Sequence, residues 1–235
     1  MCSSNSDRDD CQPGRAKRQR SEEVNNENGN DEHRLKLEIR KLCISDIVEA
    51  VVLDLDDTLW RGNCEHFSGA CVRTAATEIQ HTMSRATLAL YPEVPLVMNA
   101  LSACGIPIAI ASASPASETA RHLLMQFGLA ALVSHWEVHP GCKKEHLKAI
   151  GKGLGISALR NVLFFDDLQH NLRDVSSLGC TCYHVRKGLG TQELLSALRD
   201  HRSRSRAAAS MRSWFKPSSQ SSTNVFREQC KESRP

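Results

Sequence analysis

The chain has 235 residues and a formal net charge of +3, which is length for one ordinary domain with tails and too little charge for a global nucleic-acid signature. No apolar stretch reaches the ~20 residues of a membrane helix, and no secretory signal follows Met1. The ten cysteines are scattered without framework spacing, so a reduced, intracellular protein without disulfides is expected, with neither membrane nor nucleic acid as a partner.

Residues 1–34 are polar and charged, poor in large apolar side chains, and read as a disordered tail. Within it Arg15, Lys17, Arg18 and Arg20 form a basic cluster of the kind used in nuclear import. A cytoplasmic or nuclear location is therefore expected. Residues 35–45 read as a short helix leading into a domain over 46–200.

From residue 48 strands and helices alternate. Strands are predicted over 48–54, 106–111, within 131–138, and over 162–165 and 180–185. Helices are predicted over 94–104, 117–127, 144–150, 171–178 and 191–198, several stopped by glycines such as Gly105 and Gly128. This alternation implies an α/β fold, a parallel sheet with helices on both faces. Residues 61–90 interrupt it directly after the first strand. There residues 73–83 read as helical, and an insertion at that edge should lie over the site. It is too small for a full second domain, so an open site is expected. Residues 201–235 return to Ser, Arg and Gln and read as a disordered basic tail.

The segment Val51-Val52-Leu53-Asp54-Leu55-Asp56-Asp57-Thr58-Leu59-Trp60 carries the chemistry. An apolar strand ends in two carboxylates at i and i+2, at the sheet edge where open α/β folds bind ligands. Two carboxylates on one turn are costly unless a cation neutralises them, and Mg²⁺ with its oxygen ligands suits that role. The fitting reaction is phosphoryl transfer, with one carboxylate as nucleophile and the other as acid and base. Taken alone, the motif also fits an Asx turn.

Further features fall after other strands. Ser112, with the backbone N–H groups of Ala113 and Ser114, could grip a phosphate at a helix start. Lys143 follows Pro140-Gly141-Cys142 and could neutralise developing charge; Lys144 lies beside it. Asp166 and Asp167 end the most apolar strand, and one of them should complete a Mg²⁺ site with Asp54 and the backbone carbonyl of Asp56. The spacing of Cys64, His66 and Cys71 matches no standard zinc site.

These motifs in this order resemble the haloacid-dehalogenase superfamily. More narrowly, residues 53–60, 90–95, 139–143 and 164–171 resemble the magnesium-dependent phosphatase-1 family, over about residues 48–198. The resemblance implies a Rossmann-like fold with a minimal cap. It makes Asp54 the nucleophile and Asp56 the acid and base. It places Leu55, Asp56, Ser112, Ala113 and Lys143 around the phosphate, and Asp54, Asp56 and Asp167 on Mg²⁺. It implies a phosphatase of small phosphorylated compounds, phosphotyrosine-like or sugar phosphates. Two positions depart from the family pattern: Ala113 stands where an arginine is usual, and Asp57 where an aromatic residue is usual. Losing a guanidinium removes a bidentate anion contact. Two alternative readings are a phosphatase acting on phosphopeptides and a non-catalytic phosphate-binding scaffold.

In the C-terminal stretch, Met211, Trp214 and Phe215 are spaced as in a degenerate sliding-clamp-binding peptide, with Ala208 where such peptides carry glutamine. That reading adds a sliding clamp as a candidate partner.

Overall fold

The computed structural model describes residues 30–42 and 47–214. The basic cluster at 15–20 and the stretch from Phe215 onward lie outside the described residues, as do most of the two expected tails.

Five strands form one parallel sheet: β1 (Ala50–Leu53), β6 (Ile108–Ser112), β7 (Val133–Val138), β8 (Val162–Asp166) and β9 (Thr181–His184), in the order β7-β6-β1-β8-β9. The sequence places the strands well because each central one is a continuous apolar run. Such runs are what a strand covered on both faces requires. Alternate residues part to the two faces. Val51, Leu53, Ile108, Ile110, Leu163 and Phe165 join one core cluster, and Val52, Ala109, Ala111, Val162 and Phe164 the other. The first cluster is completed by α1 (residues 30–41), α2 (Val94–Ala103), α3 (Ser117–Gln126) and α6 (Thr191–Trp214). The second is completed by α4 (Lys143–Gly153) and α5 (Gln169–Ser176).

β1 is central and orders before β8 on one side and β6 on the other. The strand order reverses direction of winding at β1, which opens the crevice where such sheets hold ligands. The carboxyl ends of β1, β6 and β8 therefore meet at one edge.

Three expectations need correction. The segment 73–83, expected as helix, is instead part of a four-stranded antiparallel sheet with order β2-β5-β4-β3. Its strands are β2 (Trp60–Arg61), β3 (Cys71–Ala75), β4 (Glu78–His81) and β5 (Thr87–Leu90). Ala and Glu in this stretch favour a helix locally, but pairing of β4 with both β3 and β5 overrides that preference. Ile79 and Leu88 sit opposite one another and are fully buried in the main core cluster.

The helix before the domain begins at residue 30, inside the span expected as tail. Leu35 and Ile39, four apart, place one face of it in the core. Likewise α6 continues from Leu198 to Trp214, past the expected tail boundary at 201. His201 is buried there, its ring bonded to Thr181 Oγ1 at 2.7 Å and to the Ile47 carbonyl at 3.4 Å. The Arg- and Ala-rich sequence beyond it suits a helix once that anchor exists.

Candidate active site

β1 runs apolar to Leu53 and stops at Asp54, whose N–H still donates to Phe165 O at 3.0 Å. The chain then turns sharply. The N–H groups of Thr58 and Leu59 both donate to Leu55 O, at 3.2 and 2.8 Å. Asp57 adopts a left-handed conformation with φ 55°, where Asp is among the few tolerated side chains. Its Oδ1 accepts the Gly62 N–H at 3.0 Å, which holds the turn closed. Leu55 is fully buried, so only its backbone can serve a ligand.

The turn gives the first two carboxylates different surroundings. Asp54 is buried and paired with Lys143 Nζ. Asp56 points instead toward the small sheet. Its Oδ1 accepts Trp60 Nε1–H at 2.7 Å and the Cys64 N–H at 3.0 Å, and its Oδ2 lies 3.8 Å from the Cys64 thiol. Burial pushes the Asp56 carboxyl above its ordinary range despite these donors. That raised affinity for a proton suits a general acid.

Lys143 is the first residue of α4 and only 4% exposed, whereas Lys144 is half-buried. Of the two lysines, Lys143 is the one whose ammonium reaches the Asp54 and Asp166 carboxylates. Its ammonium pairs with Asp54, sits 3.0 Å from Asp166 Oδ2, and donates to Ala111 O at 2.6 Å. The ends of β1, β8 and β6 converge on this one cation. Burial works against its charge, but Asp54 and Asp166 outweigh it and hold the lysine protonated. For Asp54 burial dominates, with Asp166 adding and Lys143 opposing, and its carboxyl is raised.

Asp166 is fully buried and richly bonded. Its Oδ1 accepts Leu168 N–H at 2.8 Å, and Asn171 Nδ2 donates to both oxygens at 3.0 and 3.1 Å. Asn171 lies inside the first turn of α5, since that helix starts at Gln169 rather than at Asn171 as expected. Burial and the neighbouring Asp166 raise the Asp167 carboxyl.

Asp54, Asp166 and Asp167 each offer an oxygen within 4.8 Å of the others. One lysine cannot balance three carboxylates, and the donor set is all oxygen. The cluster therefore fits a hard divalent cation such as Mg²⁺. Both members of the acidic pair belong to it, where the family resemblance implied Asp167 alone. The Asp56 carboxylate is turned away to Trp60 and Cys64, so only its backbone carbonyl remains as the expected ligand.

Ser112 ends β6 and is buried. Its hydroxyl accepts the Ser114 N–H at 3.3 Å, so that N–H is not available to an anion as expected. Nor is this a helix start, because α3 begins only at Ser117. Ala113 is exposed between the two serines. Ser114 ties this loop to the small sheet's side through Glu65 Oε1 at 3.3 Å and Cys64 Sγ at 3.5 Å.

Sequence reasoning missed Trp60 and Cys64 as partners of Asp56, and Asn171 as the support of Asp166. Trp60 had a readable signal, four residues beyond Asp56 across a tight turn. Cys64 had none, because its contact depends on the path of the small sheet. Among the described residues the only cluster of metal-ligand type is the three aspartates; Cys64, His66 and Cys71 form none.

A buried carboxylate paired with a lysine, beside an acidic cluster at the switch point of a parallel sheet, is the arrangement a phosphate-handling α/β enzyme needs. Residues 46–204 match the Acid Phosphatase family, and the chain belongs to that family, as a phosphatase. The chain is 35% identical over 147 residues to human magnesium-dependent phosphatase 1, covering 63% of this chain and 83% of that protein. Among solved structures, one from Listeria monocytogenes, an uncharacterized protein, superposes with TM-score 0.51 at 11% identity, covering 66% of this chain and 99% of that one. The N-terminal part of a Bacteroides fragilis protein containing a phosphatase domain, solved with Mg, superposes with TM-score 0.45 at 18% identity, covering 62% of this chain and 38% of that one. The Listeria likeness concerns the fold alone.

Proposed function

We propose that this phosphatase hydrolyses small phosphomonoesters in a Mg²⁺-dependent reaction through a phosphorylated Asp54. The observation that carries the reading is the pairing of Asp54 with a buried Lys143 while Asp56 is held apart, protonatable, on Trp60 and Cys64.

In the first half-reaction an Asp54 carboxylate oxygen attacks phosphorus, and the bond from phosphorus to the leaving oxygen breaks. Asp56 gives its proton to that leaving oxygen. In the second half, Asp56 takes a proton from water as the water attacks phosphorus, and the acyl-phosphate bond breaks to regenerate Asp54. Lys143 stabilises the charge on the phosphoryl oxygens. Leu55, Asp56 and Ala113 contribute through their backbones, and Ser112 through its hydroxyl. Asp54, Asp167 and the carbonyl of Asp56 would hold Mg²⁺, with Asp166 beside them; the bound ion supplies charge neutralisation of phosphate and nucleophile. Phosphotyrosine-like compounds and sugar phosphates are the substrate classes this reading favours.

The test is turnover of p-nitrophenyl phosphate by the purified protein, with Mg²⁺ and with EDTA, beside Asp54→Asn. Activity should require Mg²⁺ and fall at least ~10³-fold in the variant. Near-normal turnover by Asp54→Asn would remove Asp54 as nucleophile. Turnover indifferent to EDTA would remove the metal.

A further inference from the structure

Beside the acidic cluster lies a cavity of about 340 Å³ lined by Asp57, Tyr91, Asp167, His184, Val185 and Arg186. This volume is in the range of small-molecule pockets. It adjoins the carboxylates that handle the phosphoryl group, so it is placed to receive the rest of the substrate.

Its cation is not on a loose loop. The N–H of Val185 donates to Asp166 O at 3.0 Å, and that of Leu189 to Thr58 O at 2.9 Å, so the loop is pinned at both ends to the site's own turns. Val185 and Leu189 are each 1% exposed. Gly188, at φ +85°, lies so close to the Tyr91 ring that a Cβ there would come within 2.1 Å of it. Arg186 itself is exposed, and its Nε–H donates to His184 Nδ1 at 3.4 Å. His184 Nε2 in turn bonds Asp167 O at 2.8 Å, so it carries the proton there and leaves Nδ1 as an acceptor. A chain of bonds from the Asp167 backbone thus orients the guanidinium and leaves its two terminal nitrogens for a ligand.

We propose that Arg186 reads a carboxylate on the leaving group of the substrate. This rests on the phosphatase reading above and specifies its substrate: a phosphomonoester whose leaving alcohol or phenol carries a carboxylate a few bonds from the ester oxygen. Two terminal nitrogens of one guanidinium match the two oxygens of a carboxylate. A second phosphate would bring two negative charges into a cavity that Asp57 and Asp167 also line, where Arg186 is the lining arginine. Tyr91 supplies an aromatic surface in the same cavity, and the Arg61 guanidinium stacks over its ring at 5.7 Å.

The experiment is calorimetric titration of the full chain, with Mg²⁺ present, using phenylphosphonate, 4-carboxyphenylphosphonate, 1,4-phenylenebisphosphonate and 4-(aminomethyl)phenylphosphonate. These compounds are not hydrolysed, so the result does not depend on turnover. The carboxyl compound should bind about tenfold tighter than phenylphosphonate. In Arg186→Gln the ratio of those two affinities should fall to about one. A carboxylate that adds no affinity, including no binding at all, overturns the proposal, as does an advantage that survives in Arg186→Gln. Tighter binding of the bisphosphonate or of the ammonium compound overturns it too, the latter in favour of Asp57. Failure of p-nitrophenyl phosphate turnover would instead strike the phosphatase reading, so the two failures are separable.

Discussion

The parallel sheet and the small antiparallel sheet make different contributions to one site. The parallel sheet supplies the charges: Asp54, Asp166 and, through the start of α4, Lys143, all brought to one edge by strand ends. The small sheet supplies no charge to that cluster. It supplies the donors that hold Asp56, namely Trp60 on β2 and Cys64 just after it. Asp54 and Asp56, the proposed nucleophile and acid, are thus set by different substructures. One places Asp54 against a cation, and the other places Asp56 in a less polar, hydrogen-bonded niche.

The division can be broken most directly at the parallel sheet's lysine. Lys143→Met keeps the length of the side chain and removes the charge, leaving Asp54 and Asp166 facing each other. Turnover with Mg²⁺ should fall by about 10²–10³-fold, the scale of losing one stabiliser of transition-state charge. A loss under fivefold would show that Lys143 serves only to fold the apoprotein.

The two sheets share a core cluster, and this sharpens the comparison from the stability side. Ile79→Ala on β4 should cost about 2–4 kcal/mol, the usual range for a buried Ile truncation. Because Ile79 packs into the same cluster as Leu53 and Phe165, thermal melting should shift as one transition. Hydrogen exchange confined to residues 71–90 would show instead that the small sheet opens by itself.

The small sheet's share of catalysis is measured by Trp60→Phe, which deletes the indole N–H and keeps an aromatic ring. The expected loss in kcat is about tenfold, as for one hydrogen bond to a charged group. A shift in the acidic or basic limb of the pH–rate profile should accompany it, since the donor opposes the upward push of burial on Asp56. An unaltered profile would assign Trp60 to packing alone.

The smallest effect concerns the cost of the acidic cluster. Burial and Asp166 raise Asp167 above its ordinary 3.8. A raised folded-state value means the favourable part of its titration is complete below the unfolded value and is lost as pH rises through the folded one. Metal-free Asp167→Asn should therefore melt a few degrees higher than wild type at neutral pH, with the gain shrinking as pH falls toward 4. Added Mg²⁺ should reverse the order, because only wild type gains a ligand. A variant that melts lower without metal would mean Asp167 is not under electrostatic strain.

Much of the fold was legible because the core strands are continuous apolar runs, and their polar ends fall at one edge once the sheet is parallel. Lys143 was readable from the Pro140-Gly141 punctuation before it. The segment 73–83 was not, because its Ala, Glu and Gln side chains favour a helix and only the pairing of β4 between β3 and β5 decides otherwise. The first turns of α6 were read from their apolar spacing, but its continuation through Arg204 and Arg206 was hidden by a composition typical of tails. The buried His201 anchor, on Thr181 and the Ile47 carbonyl, brings together residues far apart in the chain.

By itself the sequence revealed the alternation of strands and helices outside residues 61–90 and singled out Asp54, Asp56, Ser112, Lys143 and the acidic pair as candidates. Local hydrophobic periodicity and strand-end polarity are properties of neighbouring residues, so they survive in one dimension. Only the tertiary structure decided that both Asp166 and Asp167 join Asp54, that Asp56 is held by Trp60 and Cys64, and that Arg186 overlooks the neighbouring cavity. Those relations depend on distances across strands and on which side of a turn a carboxylate faces. Burial and long-range charge pairing set them, and neither is a property of residues adjacent in the chain.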